Sequence, residues 1–459
     1  MVKPSSCLPT PGTVSRRNFT AISAGAFAAA ALPHGAFGRP PASERITLGV
    51  IGLGSRGFNL LDAFLAQPDC QIVAVCDVDQ LHYRDREWGS GKTFGRRPAA
   101  EHVSRAYQKD KSGTPAGGLQ VSSDYREVMA RSDIDAVVVA TPDHWHALCT
   151  LEALRAGKDV YCEKPVTHLF AEGQAVVAEI AKRKAVFQTG SQQRSDPLFH
   201  RVVELAQNGI LGELRSFEVG LPPGYDKPQG STAIETPRED LDYDFWCGPS
   251  VVLPLMQARH HRWWRGHRAY GGGVLMDWIG HHNDIAHWAI QSHRSGPTLV
   301  EAVEWQFPDT DVYNTPQHYT IRCEYDGGIT STISSRNSLG VKIIGSEGWV
   351  FARRGKIEAS NPGWLAKDFV PGGINVGRGT SHAADFLQHI RRRGECIAPA
   401  EVAHRSITPG HLGYVSHALQ KPLHWDSKAE TVTNVPEANA ILKQVTYRTP
   451  WKWHGPTAG

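Results

Sequence analysis

Three glycines, Gly52, Gly54 and Gly57, fall in a G-x-G-x-x-G spacing, and an acidic residue, Asp77, follows about twenty positions on. A loop of this kind can cradle a diphosphate. The first glycine permits a tight turn, the second lets backbone approach the phosphates, and the third lets a helix pack on a strand. The amino terminus of that helix favours an anion, which puts Ser55 and Arg56 on the same binding loop. Asp77 would accept hydrogen bonds from both hydroxyls of a ribose and repel a 2′-phosphate, so the pattern favours NAD over NADP. Arg84 and Arg86 remain as groups that could hold the extra phosphate of NADP. Far along the chain, Asp277 and His281 stand four residues apart, on one face of a helix, where an imidazole could take a hydroxyl proton.

The elements around these residues predict an α/β first domain. A short apolar run at 46–51 ends at the glycine loop and reads as a buried parallel strand. A helix at 58–67 and a second strand at 71–76, ending in Asp77, complete a βαβ unit. Residues 82–119 lack clean periodicity and read as a long excursion with one helix at about 99–108. The pattern resumes with a helix at 124–130, a strand at 136–140, a helix at 147–156 and a strand at 159–162. The dinucleotide-binding domain is thus expected over 44–165. Past it come helices at 169–182 and 197–207, a strand at 185–189, and alternating stretches at 214–219, 299–307, 318–323 and 329–334. Late helices are expected at 382–391, 410–418 and 437–444. These imply a second, α+β domain over 166–459, built on an open and mainly antiparallel sheet.

Thr141-Pro142-Asp143-His144-Trp145-His146 lies just past the carboxyl end of a predicted parallel strand, where open α/β sheets bind ligands. His146 also suits a plain helix cap. Taken with the glycine loop, Asp77, Glu163-Lys164-Pro165 and the run Gly271-Gly272-Gly273-Val274-Leu275-Met276-Asp277-Trp278-Ile279-Gly280-His281, this segment resembles the Gfo/Idh/MocA family of glucose-fructose oxidoreductase and inositol dehydrogenase. The resemblance covers nearly the whole chain after the leader. It implies a nicotinamide cofactor held by the glycine loop, Asp77, Thr141, Pro142, His144, His146, Glu163 and Lys164. It further implies that Lys164 points at the nicotinamide and the substrate carbinol, with Asp277 and His281 completing the catalytic group. An ammonium there stabilises an alkoxide and lowers the pKa of a nearby base. A surface pair with Glu163 is the plainer reading of Lys164, and a satisfied core histidine that of His281.

Several aromatic and cationic residues precede the glycine run. Trp264, Arg265 and Tyr270 are candidates for a sugar pocket with Asp277 and His281, since indole packs on sugar faces and arginine holds hydroxyls or a carboxylate. Core packing accounts for at least half of these aromatics. Gln192, Gln193 and Arg194 follow a strand end and are candidates for substrate contact. His260, His261, His267, His282, Asp284 and His287 have spacings that could build a metal site. The family reading needs no metal, and none is expected.

The chain has 459 residues, 41% of them apolar and 21% charged, with a formal charge of +3. That balance fits a soluble globular protein of about two domains and argues against a nucleic-acid partner. Ser15-Arg16-Arg17-Asn18-Phe19 precedes an Ala-rich run, which reads as a twin-arginine export signal over about 1–38 and implies a periplasmic or otherwise exported protein. No stretch approaches the roughly 20 apolar residues of a membrane span. Eight cysteines are scattered without paired spacing and read as structural. Family resemblance implies a homo-oligomer. The function expected is an NAD(P)-dependent oxidoreductase acting on a secondary alcohol of a sugar, polyol or glycoside with tightly bound cofactor. The alternative is a redox-neutral NAD-dependent glycosidase or epimerase working through a transient keto-sugar.

Overall fold

The structure is a computed structural model that describes residues 40–84, 92–109 and 118–455. The expected export signal at 1–38, Arg86 and the side chain of Arg84 lie outside the described residues.

The first half runs β1 (Ile46–Ile51), α1 (Ser55–Leu65), β2 (Cys70–Cys76), β3 (His82–Arg84), β4 (Lys92–Phe94), α2 (Arg96–Lys109), β5 (Gln120–Ser122), α3 (Tyr125–Ala130), β6 (Ala136–Val139), α4 (Asp143–Arg155), β7 (Asp159–Cys162), α5 (Phe170–Arg183) and β8 (Phe187–Thr189). Six strands form a parallel sheet in the order β5-β2-β1-β6-β7-β8. Every residue of β2, β6 and β7 is buried, as expected for strands with helices on both faces. The strand order reverses between β1 and β6. A crevice opens there at the carboxyl ends of the strands, and the glycine loop and Thr141 meet across it. The sheet does not stop at Pro165, because β8 pairs with β7.

The second half comprises α6 (Pro197–Gln207), β9 (Leu214–Gly220), α7 (Tyr243–Cys247), α8 (Gly273–Ala289), β10 (Leu299–Gln306), β11 (His318–Glu324), β12 (Thr330–Ser334), β13 (Gly340–Gly345), β14 (Trp349–Arg353), β15 (Lys356–Ala359), α9 (His382–Arg392), α10 (Ala400–Leu419), β16 (Leu423–Asp426), β17 (Thr431–Val432) and α11 (Pro436–Lys443). Nine strands form one sheet, β15-β14-β13-β9-β12-β11-β10-β16-β17, antiparallel except where β12 pairs with β9. Fifteen of the seventeen residues of α8 are buried, because it packs against α6, α10 and the sheet. α9 returns to the first half, where Phe386 and Leu387 share a core with Leu48, Phe64 and Tyr161.

Three expectations shift. α10 begins at Ala400 rather than 410, since Pro409 is accommodated inside it. α4 begins at Asp143 rather than 147, so His144 and His146 are helical. Within the 82–119 excursion, β3 and β4 pair as an antiparallel ribbon ahead of α2. The seven described cysteines are free and buried, and no described helix is long and apolar enough to cross a membrane.

Candidate active site

One cavity of about 1480 Å³ runs from the glycine loop to α8 and is walled by both halves. At its first-half end, Gly52 has φ +88°, and a Cβ there would strike the backbone of Ala140 and Thr141. A Cβ on Gly57 would overlap the Gly52 carbonyl oxygen, whereas one on Gly54 would meet nothing within 4 Å. The loop is therefore tight where it turns and open where it faces the cavity. α1 starts from Gly54 without a side-chain cap, which leaves its first N–H groups available to an anion. Asp77 directly follows β2 and accepts from the backbone N–H of Leu53 at 2.6 Å and of Asp79 at 2.9 Å. Burial raises its carboxyl to about 6 against the pull of those two amides. This cradle fits the diphosphate and adenosine ribose of a nicotinamide dinucleotide.

The other end is built on β7 and α8. Lys164 Nζ donates to the Asp277 carboxylate at 2.5 Å and to the Asp277 carbonyl at 2.9 Å. Arg265 pairs with the same carboxylate at 3.0 Å and lies over the Trp264 ring. Burial works to raise the pKa of Asp277, but Arg265 and Lys164 outweigh it and hold the carboxyl far below its usual value. His281, one turn further along α8, lines the cavity, and its Nδ1 is buried without a hydrogen-bond partner. Burial first, then the charge of Lys164, push its pKa well below 6.5, so the imidazole is neutral at neutral pH. Beside this group, Asp143 is buried at the start of α4. Burial raises its carboxyl to about 7 against the pull of Arg265.

Glu163 connects the two ends. It accepts from Arg56 at 2.8 Å and from Gln192 at 3.1 Å. His146 has Nδ1 at 2.6 Å from the Pro165 carbonyl and Nε2 at 2.9 Å from that of Thr141. Only the protonated ring can donate to both. Burial opposes that charge, but Cys162 and the two carbonyls outweigh it and raise the pKa. His146 thereby ties the end of β6 to the backbone beside Lys164.

Most expected site residues meet in this cavity: Gly52, Gly54, Ser55, Arg56, Asp77, Thr141, Pro142, His146, Glu163, Lys164, Gln192, Gln193, Trp264, Arg265, Asp277 and His281 all line it. Gly57 lies behind the loop, as its packing role requires. Three do not reach it. Arg194 is buried in a bidentate pair with Asp284 at 2.6 and 2.8 Å and stacks on Trp288, which removes it from substrate contact. His144 is enclosed between the carbonyls of Tyr270 and Trp246, and burial lowers its pKa to about 4. Tyr270 is fully buried, with its hydroxyl bonded to the backbone of Val251 and Leu253. The crowded histidines also separate. His282 bonds the Gly220 carbonyl and His287 the Tyr325 hydroxyl, while His260 and His261 pack near His82. Asp79, His82 and His261 bring donor atoms within 4.8 Å of one another, but Asp79 is already paired with Arg238 at 2.8 Å. Sequence reasoning missed Arg354 and Tyr225, which line the cavity from the β14–β15 turn and the segment after β9.

A family model described as "Oxidoreductase family, NAD-binding Rossmann fold" matches residues 46–191, and its companion, "Oxidoreductase family, C-terminal alpha/beta domain", matches 200–453. Among curated proteins, "Glycosyl hydrolase family 109 protein 2" of Shewanella sp. (strain ANA-3) is 30% identical over 176 residues. That stretch is 38% of this chain and 34% of the relative, so the match spans about a third of the relative's length. "Uncharacterized oxidoreductase YrbE" of Bacillus subtilis is 35% identical over 206 residues, 44% of this chain and 53% of that protein. An aldose-aldose oxidoreductase from Caulobacter crescentus, solved with glycerol, superposes with a TM-score of 0.58 at 17% identity, covering 83% of this chain and 99% of that one. That last likeness shows the fold.

Proposed function

The chain belongs to the Gfo/Idh/MocA oxidoreductase family with its NAD-binding Rossmann domain, and on that premise we propose that it oxidises a secondary alcohol of a sugar, polyol or glycoside. The observation that carries this reading is the convergence of Lys164, Asp277 and His281 in the cavity that also holds the dinucleotide cradle.

Gly52, Gly54, the first turn of α1 and Asp77 would hold the cofactor, as their close packing and open face allow. Bound there, a nicotinamide dinucleotide supplies a two-electron acceptor for the carbinol C–H. The chain's own residues handle the proton. His281, neutral and lining the cavity, accepts the hydroxyl proton. Lys164 has two of its three ammonium hydrogens directed at Asp277, which leaves the third for the substrate oxygen as it becomes an alkoxide. Asp277 and Arg265 fix the direction of that ammonium.

We also propose that the cofactor stays bound through turnover. The segment between β9 and α8 closes over the end of β2. Arg238 pairs with Asp79, Leu241 bridges to Asp79, Gln80 donates to the Asp240 carbonyl, and Asp242 donates to that of Val78. Such a clasp suits a protein sent by a twin-arginine signal to a compartment without a free NAD pool. Two reaction courses keep a captive cofactor working: reduction of a second carbonyl substrate, or return of the hydrogen to the first. The second course would serve a glycosidase or epimerase, and the similarity to the family 109 glycosyl hydrolases supports it as the second reading. The test is to add alcohols and glycosides bearing a chromogenic leaving group to purified protein. Reduction of bound nicotinamide without aglycone release supports the oxidoreductase. Aglycone release without net reduction replaces it with the redox-neutral course.

A further inference from the structure

Close carboxylate partners at the catalytic end of the cavity are fewer than its cations. Arg56 is matched by Glu163, but Lys164 and Arg265 share the single carboxylate of Asp277. Asp143, raised by burial to about 7, adds less than a full negative charge there. Arg354, in the turn between β14 and β15, has no carboxylate at ion-pair distance among the described residues. It reaches into the cavity across the Trp278 ring, with its guanidinium 5.2 Å from the ring centre. Burial, and next the like charge of Arg56, disfavour its charged form, against the pull of Asp277, Glu163 and Asp196, none of them at ion-pair distance. The Trp278 ring lies 5.9 Å from that of His281, so a single indole separates Arg354 from the expected proton acceptor. One sugar ring can bridge that span. A guanidinium held beside another cation, with its fork open to a cavity, is placed to take a planar anion in bidentate fashion.

We propose that Arg354 is the anion-binding end of the substrate site and that the substrate is an acidic sugar, carrying a carboxylate or a sulfate or phosphate ester. This rests on the reading of the cavity as a sugar-oxidising site. The acidic group sits against Arg354 over Trp278, which directs the opposite edge of the ring, and its hydroxyl, toward Lys164 and His281. The diphosphate of the cofactor already has the uncapped α1 amino terminus.

The test is equilibrium binding of glucuronate, glucose 6-sulfate, glucose 6-phosphate and glucose to cofactor-loaded protein, with R354Q and R354K compared to the unmodified chain and bound NAD assayed in each. At least one acidic sugar is expected to bind more tightly than glucose. R354Q should abolish that preference, with a loss on the order of ten- to a hundredfold, as for a charge-assisted hydrogen bond. R354K should recover part of it, being a point charge without the fork. Equal binding of acidic and neutral sugars, or an equal effect of R354Q on both, would overturn the proposal. So would loss of NAD from R354Q, which would assign Arg354 to the cofactor diphosphate. Because binding is read without turnover, an acidic sugar that binds through Arg354 yet never reduces the cofactor refutes the oxidation reading alone.

Discussion

Lys164 is the residue on which the chemistry turns, because its ammonium reaches from the end of β7 to the Asp277 carboxylate on α8. Lys164→Met removes the ammonium while keeping the stem, and should lower turnover by about 10²- to 10⁴-fold with the bound NAD content unchanged, as read by extraction and steady-state assay. Asp77 makes a different prediction. Its carboxyl is raised from 3.8 to about 6, so between those values the folded protein keeps a proton that the unfolded chain has lost. Its contribution to stability therefore declines as pH rises through that window and levels off above about 6. Cofactor ribose hydroxyls donate to the ionised form, so NAD affinity should weaken as pH falls through about 6, approaching tenfold per unit. Titrations of NAD at several pH values should show this slope, and Asp77→Asn should flatten it. The residues misread from sequence share one cause. Arg194, His144 and Tyr270 are types that serve sites, but their partners Asp284, Trp246 and Val251 come from distant or irregular segments that no spacing reveals.

At the scale of elements, the glycine loop and the clasp decide whether a dinucleotide enters and stays. Gly57→Ala would drive a methyl into the Gly52 carbonyl, so the loop must shift. A destabilisation of about 1–3 kcal/mol is expected, read as a lower Tm, together with loss of bound cofactor. Arg238→Ala leaves the buried Asp79 carboxylate without the guanidinium nitrogen that donates to both its oxygens. Because Arg238 is itself half exposed, a cost of about 1–2 kcal/mol is expected, measured as faster NAD loss on dialysis with the catalytic group intact. The parallel strands were legible because burial on both faces writes them as continuous apolar runs, as in β1, β2 and β6. α10 was half legible: Pro409 reads as a boundary, yet the helix continues through it. β13, β14 and β15 were missed, although Val341, Ile343, Val350 and Ala352 alternate inward, and with them went the turn that delivers Arg354. A polar Arg-Arg-Gly turn looks like any solvated hairpin until the fold brings it over α8.

Among the described residues the two large sheets, one parallel and one mainly antiparallel, share one cavity, with chemistry supplied from both sides of it. Val303 on β10 and Phe307, just past its end, are exposed at 53% and 44% of their surface. With the oligomer expected by family resemblance, this face should lie between copies of the chain. Light scattering after size exclusion should report a mass of at least two chains, and Phe307→Glu should shift it toward one. The central claim is that the chain carries its own NAD and oxidises a sugar-type alcohol with it through Lys164 and His281. The most direct measurement is the absorption spectrum of the purified protein, with no cofactor added, as sugars, polyols and glycosides are supplied. The account predicts that the reduced-nicotinamide band appears with at least one of them, at no more than one equivalent per chain, and stays absent in Lys164→Met. Protein that retains no NAD, or a band that rises equally in Lys164→Met, would contradict it.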